Sequence, residues 1–184
     1  MYKLPILKMI GVSALFLHMV NPAACAGEEW NAQDRDMLAY FKTQMGAGDG
    51  RAWLALGQYY LSEGGQEKAQ AALEEAVRSD PQLADAWLRL AYLNMEDSEG
   101  YFRKVIEIEP ARPEPYYWIA YNFCRQGRPD ESVAMFKRYL EVASPDDPDE
   151  AGRIPAAQDF IRQMESGVTD YSQIVENQVK GKGE

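Results

Sequence analysis

Histidine is almost missing from this 184-residue chain: the single one, His18, lies in an apolar run near the start. Cysteine is nearly as scarce, with only Cys25 and Cys124. Positive charge is short as well, since 19 Lys and Arg face 29 Asp and Glu for a net charge of −10. Each shortage closes off a class of function. Beyond residue 18 the chain supplies no His-dependent triad and no His-ligated zinc or haem iron. One cysteine after residue 25 forbids an intrachain disulfide there and leaves Cys124 without a resolving thiol. An acidic surface repels phosphate backbones and anionic headgroups, so nucleic acid is not an expected partner. The carboxylates at Glu63, Glu67, Glu74 and Glu75, and at Asp146, Asp147, Asp149 and Glu150, lack the spacing of a calcium loop and read as solvated. No catalytic, metal or cofactor residue is assigned, and no cofactor is expected.

What is present begins with a leader. Lys3 and Lys8 frame the approach to an apolar run of twelve residues, Met9 to Val20, too short to span a bilayer. Asn21-Pro22 breaks the run, and Ala24-Cys25-Ala26 fits the small-x-small cleavage pattern. Residues 1–26 are therefore predicted to be a secretory signal peptide, with Gly27 as the mature start. Lipoprotein processing at Cys25 is the alternative; Ala23 and Ala24 suit it, but Pro22 stands where an aliphatic residue is usual. Loss of the leader removes two bases and no acid, leaving 17 basic against 29 acidic residues, a net charge of −12. No later run is apolar and long enough for a transmembrane segment, so the expected location is periplasmic.

The rest of the chain is punctuated into helices. Across 27–49, Trp30, Met37, Leu38, Phe41 and Met45 share one helical face, and the run Gly46 to Gly50 is expected to end that helix. Trp53, Leu56, Gly57 and Tyr60 line a second helix, answered by Ala69, Leu73 and Ala76 on a third. Gly64-Gly65 marks the turn and Asp80-Pro81 the stop, which predicts helices over 51–62 and 66–79. The pattern returns in Trp87, Leu90, Ala91, Phe102, Val105 and Pro110. Trp87 follows Trp53 by 34 residues, yet Pro110 follows Pro81 by only 29, so about five residues are missing around Met95 to Gly100. It returns again in Tyr116, Ile119, Ala120 and Phe123, then Val133, Phe136 and Leu140 after a turn at Gly127. Ser132 and Tyr139 stand where small alanines are commoner, which predicts a looser fit. Pro155 can open a last helix whose Ala156, Phe160, Ile161 and Met164 share one face.

This arrangement resembles the tetratricopeptide repeat. The resemblance implies an all-α helical-hairpin solenoid of three repeats, 50–83, 84–112 and 113–146, with a leading helix and a capping helix over 155–166. The polar segment 167–184 is expected to be disordered. Trp53 and Trp87 are expected in the core. The family pattern further implies a concave groove lined by the first helix of each repeat. Candidate partner contacts there are Leu54, Gln58 and Leu61; Leu88, Tyr92 and Met95; and Tyr117, Tyr121, Cys124 and Arg125. Most are apolar or aromatic, which suits a peptide or an amphipathic helix of a protein partner. The Lys, Asn and Arg cluster by which some relatives hold C-terminal carboxylates has no counterpart beyond Arg125. The expected function is a non-catalytic periplasmic adaptor or assembly factor that binds a segment of another cell-envelope protein. The alternatives are a self-associating structural protein and a membrane-anchored lipoprotein scaffold.

Overall fold

The computed structural model describes residues 30–45, 48–168, 170 and 174. The expected leader, with His18 and Cys25, and the Lys180 to Glu184 end lie outside the described residues. The described residues form eight α-helices and no strand: α1 Ala32–Met45, α2 Asp49–Ser62, α3 Gln66–Ser79, α4 Ala84–Leu93, α5 Glu99–Ile108, α6 Glu114–Arg125, α7 Pro129–Val142 and α8 Arg153–Glu165. Each helix packs chiefly on the helix before and the helix after it, so the molecule is a solenoid of helical pairs α2–α3, α4–α5 and α6–α7 between an opening and a closing helix.

Local chemistry sets the boundaries. Asn31 and Asp34 exchange backbone-to-side-chain hydrogen bonds at 2.9 and 3.0 Å, a reciprocal cap that starts α1. Gly64, at φ +79°, makes the turn between α2 and α3, a backbone state that side chains resist. Gly57 serves close approach: a Cβ there would lie 2.8 Å from the Leu73 Cγ of α3, and Leu73 is fully buried. The expected break at Gly46 to Gly50 is shorter than its glycines suggested, because Asp49 and Gly50 already belong to α2.

The missing residues of the second pair come out of both helices. Helices α4 and α5 have ten residues each, against fourteen in α2 and α3, and a 3-10 turn at Met95–Asp97 joins them. Asn122 of α6 repairs the short turn, donating to Ser98 Oγ at 2.9 Å and to the Met95 carbonyl at 3.2 Å. The 29-residue offset also recurs as a bond. Trp87 Nε1 donates to the Pro81 carbonyl at 2.9 Å, and Tyr116 OH donates to the Pro110 carbonyl at 2.9 Å. Both rings thereby lean over the proline turns at the edge of the core clusters they pack against. Trp87 and Trp53 are half-buried, which corrects the expectation that they are core residues; Trp53 meets Trp30 at 5.2 Å between ring centroids.

Three apolar clusters hold the stack together. One joins α1 to α3 around Leu38, Leu56 and Tyr60; one joins α4 to α6 around Phe102, Val105 and Ile119; one joins α6 to α8 around Phe136, Tyr139 and Phe160. In the last cluster Ile174 is fully buried and Val168 packs against the edge, so these two residues of the expected polar tail are part of the fold. Burying an isoleucine outweighs the polarity of its neighbours. Ser132 and Tyr139 do not loosen the third pair. Both are fully buried; Ser132 Oγ donates to the Ala120 carbonyl at 2.7 Å, and Tyr139 OH donates to Glu150 at 2.5 Å. Glu150 is 2% exposed, unlike the solvated acid expected of its connector.

Asp34 ties α1 to the first pair. It accepts from Tyr60 OH and from Lys68 Nζ at 2.9 and 3.1 Å. Burial pushes its carboxyl pKa up, but these donors outweigh burial and hold it below its ordinary value. A lowered folded pKa stabilises the fold above the unfolded pKa, and the contribution is lost as pH falls through the folded value. Thermal stability should therefore begin to fall below about pH 4, and Asp34→Asn should flatten that decline in melting curves taken across pH.

Candidate functional site

Aromatic rings link α4 and α6, first helices of the second and third pairs, to the closing helix α8. Tyr92 of α4 meets Trp118 of α6 at 6.1 Å between centroids with the planes at 89°. Trp118 meets Tyr121 at 5.8 Å and 83°, and Tyr121 meets Phe160 of α8 at 6.2 Å and 85°. These edge-to-face contacts are the favoured geometry for aromatic quadrupoles and lock neighbouring helices together. Tyr117 adds a fifth ring, at 5.6 Å and 90° to Trp118.

Polar contacts fix the same rings. Tyr92 OH donates to a Glu114 carboxylate oxygen and accepts from Trp118 Nε1 at 3.1 Å. Burial, and then the Glu114 carboxylate, hold the Tyr92 hydroxyl well above the ordinary tyrosine pKa. Burial does the same to Tyr117. The other Glu114 oxygen lies 3.6 Å from Arg112 Nε, and Arg112 also pairs with Asp85 at 2.9 Å and Glu109 at 3.1 Å. Arg153, at the start of α8, pairs with Glu150 at 3.1 Å and is within electrostatic reach of Glu114 and Tyr92.

The ten sequence-derived contacts divide. Gln58 and Arg125 are exposed; Leu54, Leu61, Tyr92, Met95, Tyr117 and Tyr121 are half-buried. Leu88 and Cys124 are corrections, being 5% and 3% exposed. Leu88 joins the cluster of Phe102, Val105, Ile119 and Phe123, because its small neighbours Ala84 and Ala91 let α5 and α6 close over it. Cys124 is covered by the cluster that includes Phe160 and Met164 of α8. Tyr117 also gives much of its ring to the core, 5.6 Å from Phe136 and 5.2 Å from Tyr139 of α7. Its helix carries Tyr116, Tyr117, Trp118, Ile119, Ala120 and Tyr121 in succession, so no polar stripe in the sequence says which edge turns outward.

Trp118, Glu114 and Arg153 were not among the sequence-derived contacts. A signal for Trp118 existed, since the 29-residue offset that carries Tyr92 to Tyr121 carries Arg89 to Trp118. Burial raises the Cys124 thiol pKa to about 11, which leaves roughly one thiol in a thousand ionised at pH 8. An aromatic disulfide reagent should therefore label Cys124 slowly in the folded protein and rapidly in denaturant.

Among the described residues no group of three or more His, Cys, Asp or Glu is placed to hold a metal ion, and no helix is long and apolar enough to cross a membrane. A stack of helical hairpins that presents one aromatic face defines a scaffold for protein–protein contact. Comparison with known proteins agrees: residues 50–93 match the family model described as tetratricopeptide repeat. The chain is 30% identical over 93 residues to the peroxisomal targeting signal receptors of Komagataella phaffii and Komagataella pastoris. That match covers 47% of the chain and 16% of each receptor, so the chain spans about a sixth of the length of the curated relatives it matches. In fold it is similar to the crystal structure of MamA, with a TM-score of 0.53 and 18% identity over 80% of this chain and 90% of that one. It is also similar to MamA MSR-1 C2, with a TM-score of 0.50 and 17% identity over 81% and 89%. Residues 50–93 thus carry a tetratricopeptide repeat, and the described residues share the helical-hairpin solenoid fold.

Proposed function

We propose that the face formed by α2, α4 and α6 is a groove that holds a peptide or amphipathic helical segment of another cell-envelope protein. The chain then acts as a non-catalytic periplasmic adaptor or assembly factor. The observation that carries this reading is the run of edge-to-face rings from Tyr92 through Trp118 and Tyr121 to Phe160. Phe160 is buried and closes the run, while half-buried Tyr92, Trp118 and Tyr121 offer apolar area on rigid side chains, which lose little entropy when a partner settles on them. The matched relatives are named as receptors for a targeting signal, which supports a partner read as a short segment. The periplasmic part rests on the leader pattern of residues 1–26.

Self-association by end-to-end stacking has less support. The outer side of α1 exposes Arg35, Asp36 and Thr43, and that of α8 exposes Gln158, Arg162 and Glu165, the polar ends expected of a capped array. The test is site-specific photo-crosslinking in cells, with the reactive side chain placed at Tyr92, Tyr121 or, as a control, exposed Lys137 of α7. One protein captured from both groove positions and not from Lys137 is the expected result. Capture from Lys137 alone would move the interface to the outer surface. Capture of a second copy of this chain would favour self-association.

A further inference from the structure

The aromatic face is not electrically neutral. Four carboxylates beside it, Asp85, Glu109, Glu114 and Glu150, share two guanidiniums, Arg112 and Arg153. Glu114 is the one that reaches the rings, since it accepts the Tyr92 hydroxyl. Its own cation is the worst placed of the set: Arg112 Nε is 3.6 Å away and directs its hydrogen bonds to Asp85 and Glu109. The rings beside Glu114 can also interact with positive charge, because an aromatic face carries negative potential. Tyr92, Tyr117 and Tyr121 stand at 89°, 90° and 83° to Trp118, and Tyr92 and Trp118 remain half-buried beside Glu114. Elsewhere the chain places its own cations on rings, Lys68 over Tyr60 and Arg128 over Phe123, but among the described residues none lies over Tyr92, Tyr117 or Trp118.

Resting on the groove reading above, we propose that the bound segment presents a basic side chain, an arginine or lysine, to the site formed by Trp118, Tyr92 and Glu114. Apolar residues of the segment lie along the remaining rings, and its cation supplies the positive charge that the four carboxylates lack. The net charge of −10 works in the same direction, drawing a basic segment toward the chain. A neutral or acidic segment would leave Glu114 without a well-placed counter-charge, and the desolvation of that carboxylate on docking would count against it.

The experiment uses two small probes and the full chain. Acetyl-arginine methylamide and its uncharged isostere, acetyl-citrulline methylamide, are titrated while the indole N–H resonance of Trp118 is followed by NMR, assigned with Trp118→Phe. A saturable shift with the arginine probe, at least about tenfold tighter than with citrulline, is the expected result. Glu114→Gln keeps an acceptor for Tyr92 and should remove most of that difference while leaving the melting curve in place. Equal shifts from the two probes, or none from either, would overturn the cation site. The groove reading would survive both results, because the crosslinking experiment tests it without reference to charge. Discrimination retained in full by Glu114→Gln would also overturn the assignment, since the carboxylate would then play no part.

Discussion

Phe136→Ala should unfold much of the molecule, at a cost of about 3–5 kcal/mol. Phe136 is fully buried where α6, α7 and α8 meet. Its ring stacks on Phe160 at 5.2 Å and 9°, and Tyr117 meets its edge at 5.6 Å. Removing it leaves a cavity lined by rigid rings, which cannot collapse cheaply. A loss of that size is comparable to the whole stability of a small domain. Trp53→Ala should cost less, because that indole is half-buried and rests partly on Trp30. Chemical denaturation of the two variants side by side checks the order. A Trp53→Ala protein less stable than Phe136→Ala would mean that the ends of the array, and not its closing core, hold it together.

Tyr92→Ala and Tyr121→Ala should each weaken partner binding by about thirtyfold or more. Central aromatic anchors usually dominate an interface, and truncating one typically costs at least about 2 kcal/mol. These two rings flank Trp118 on either side, so removing either opens the run that the partner lies on. Both are half-buried, so the melting temperature should drop far less than in Phe136→Ala. Leu88→Ala is not a comparable test, because Leu88 is buried and its loss would act through stability. Titration of the captured partner against each variant, with Lys137→Ala as a neutral control, measures the effect. Unchanged affinity in both tyrosine variants would remove the groove assignment.

The helical pairs were legible because their signals are local. Small residues at Gly57, Ala69 and Ala76 and turns at Gly64 and Gly127 specify where helices cross and stop, whatever lies beyond them. The shortened second pair was legible for the same reason, since the 34- and 29-residue offsets can be counted along the chain. The candidate face was legible only in part. Helix periodicity places Tyr92 on the candidate stripe of α4 and Tyr121 on that of α6, but it also placed Leu88 and Cys124 on those faces, and it left out Trp118.

Sequence by itself determined an all-helical repeat protein, the order of its pairs, its excess of negative charge and the histidine-poor composition that excludes several chemistries. Periodicity is a property of one helix, so it says which residues share a side and not which side a third helix will cover. Only the tertiary structure decided that α5 and α6 close over Leu88, that the cluster with α8 covers Cys124, and that Ile174 returns to finish the core. It alone set Trp118 between Tyr92 and Tyr121 and brought Glu114 to the Tyr92 hydroxyl. The contacts of Tyr92 with Glu114 and Trp118 join residues 22 and 26 positions apart, and their geometry depends on how far each hairpin is shifted against the next. That shift is fixed by the summed packing of whole helix faces, which no single residue spacing records.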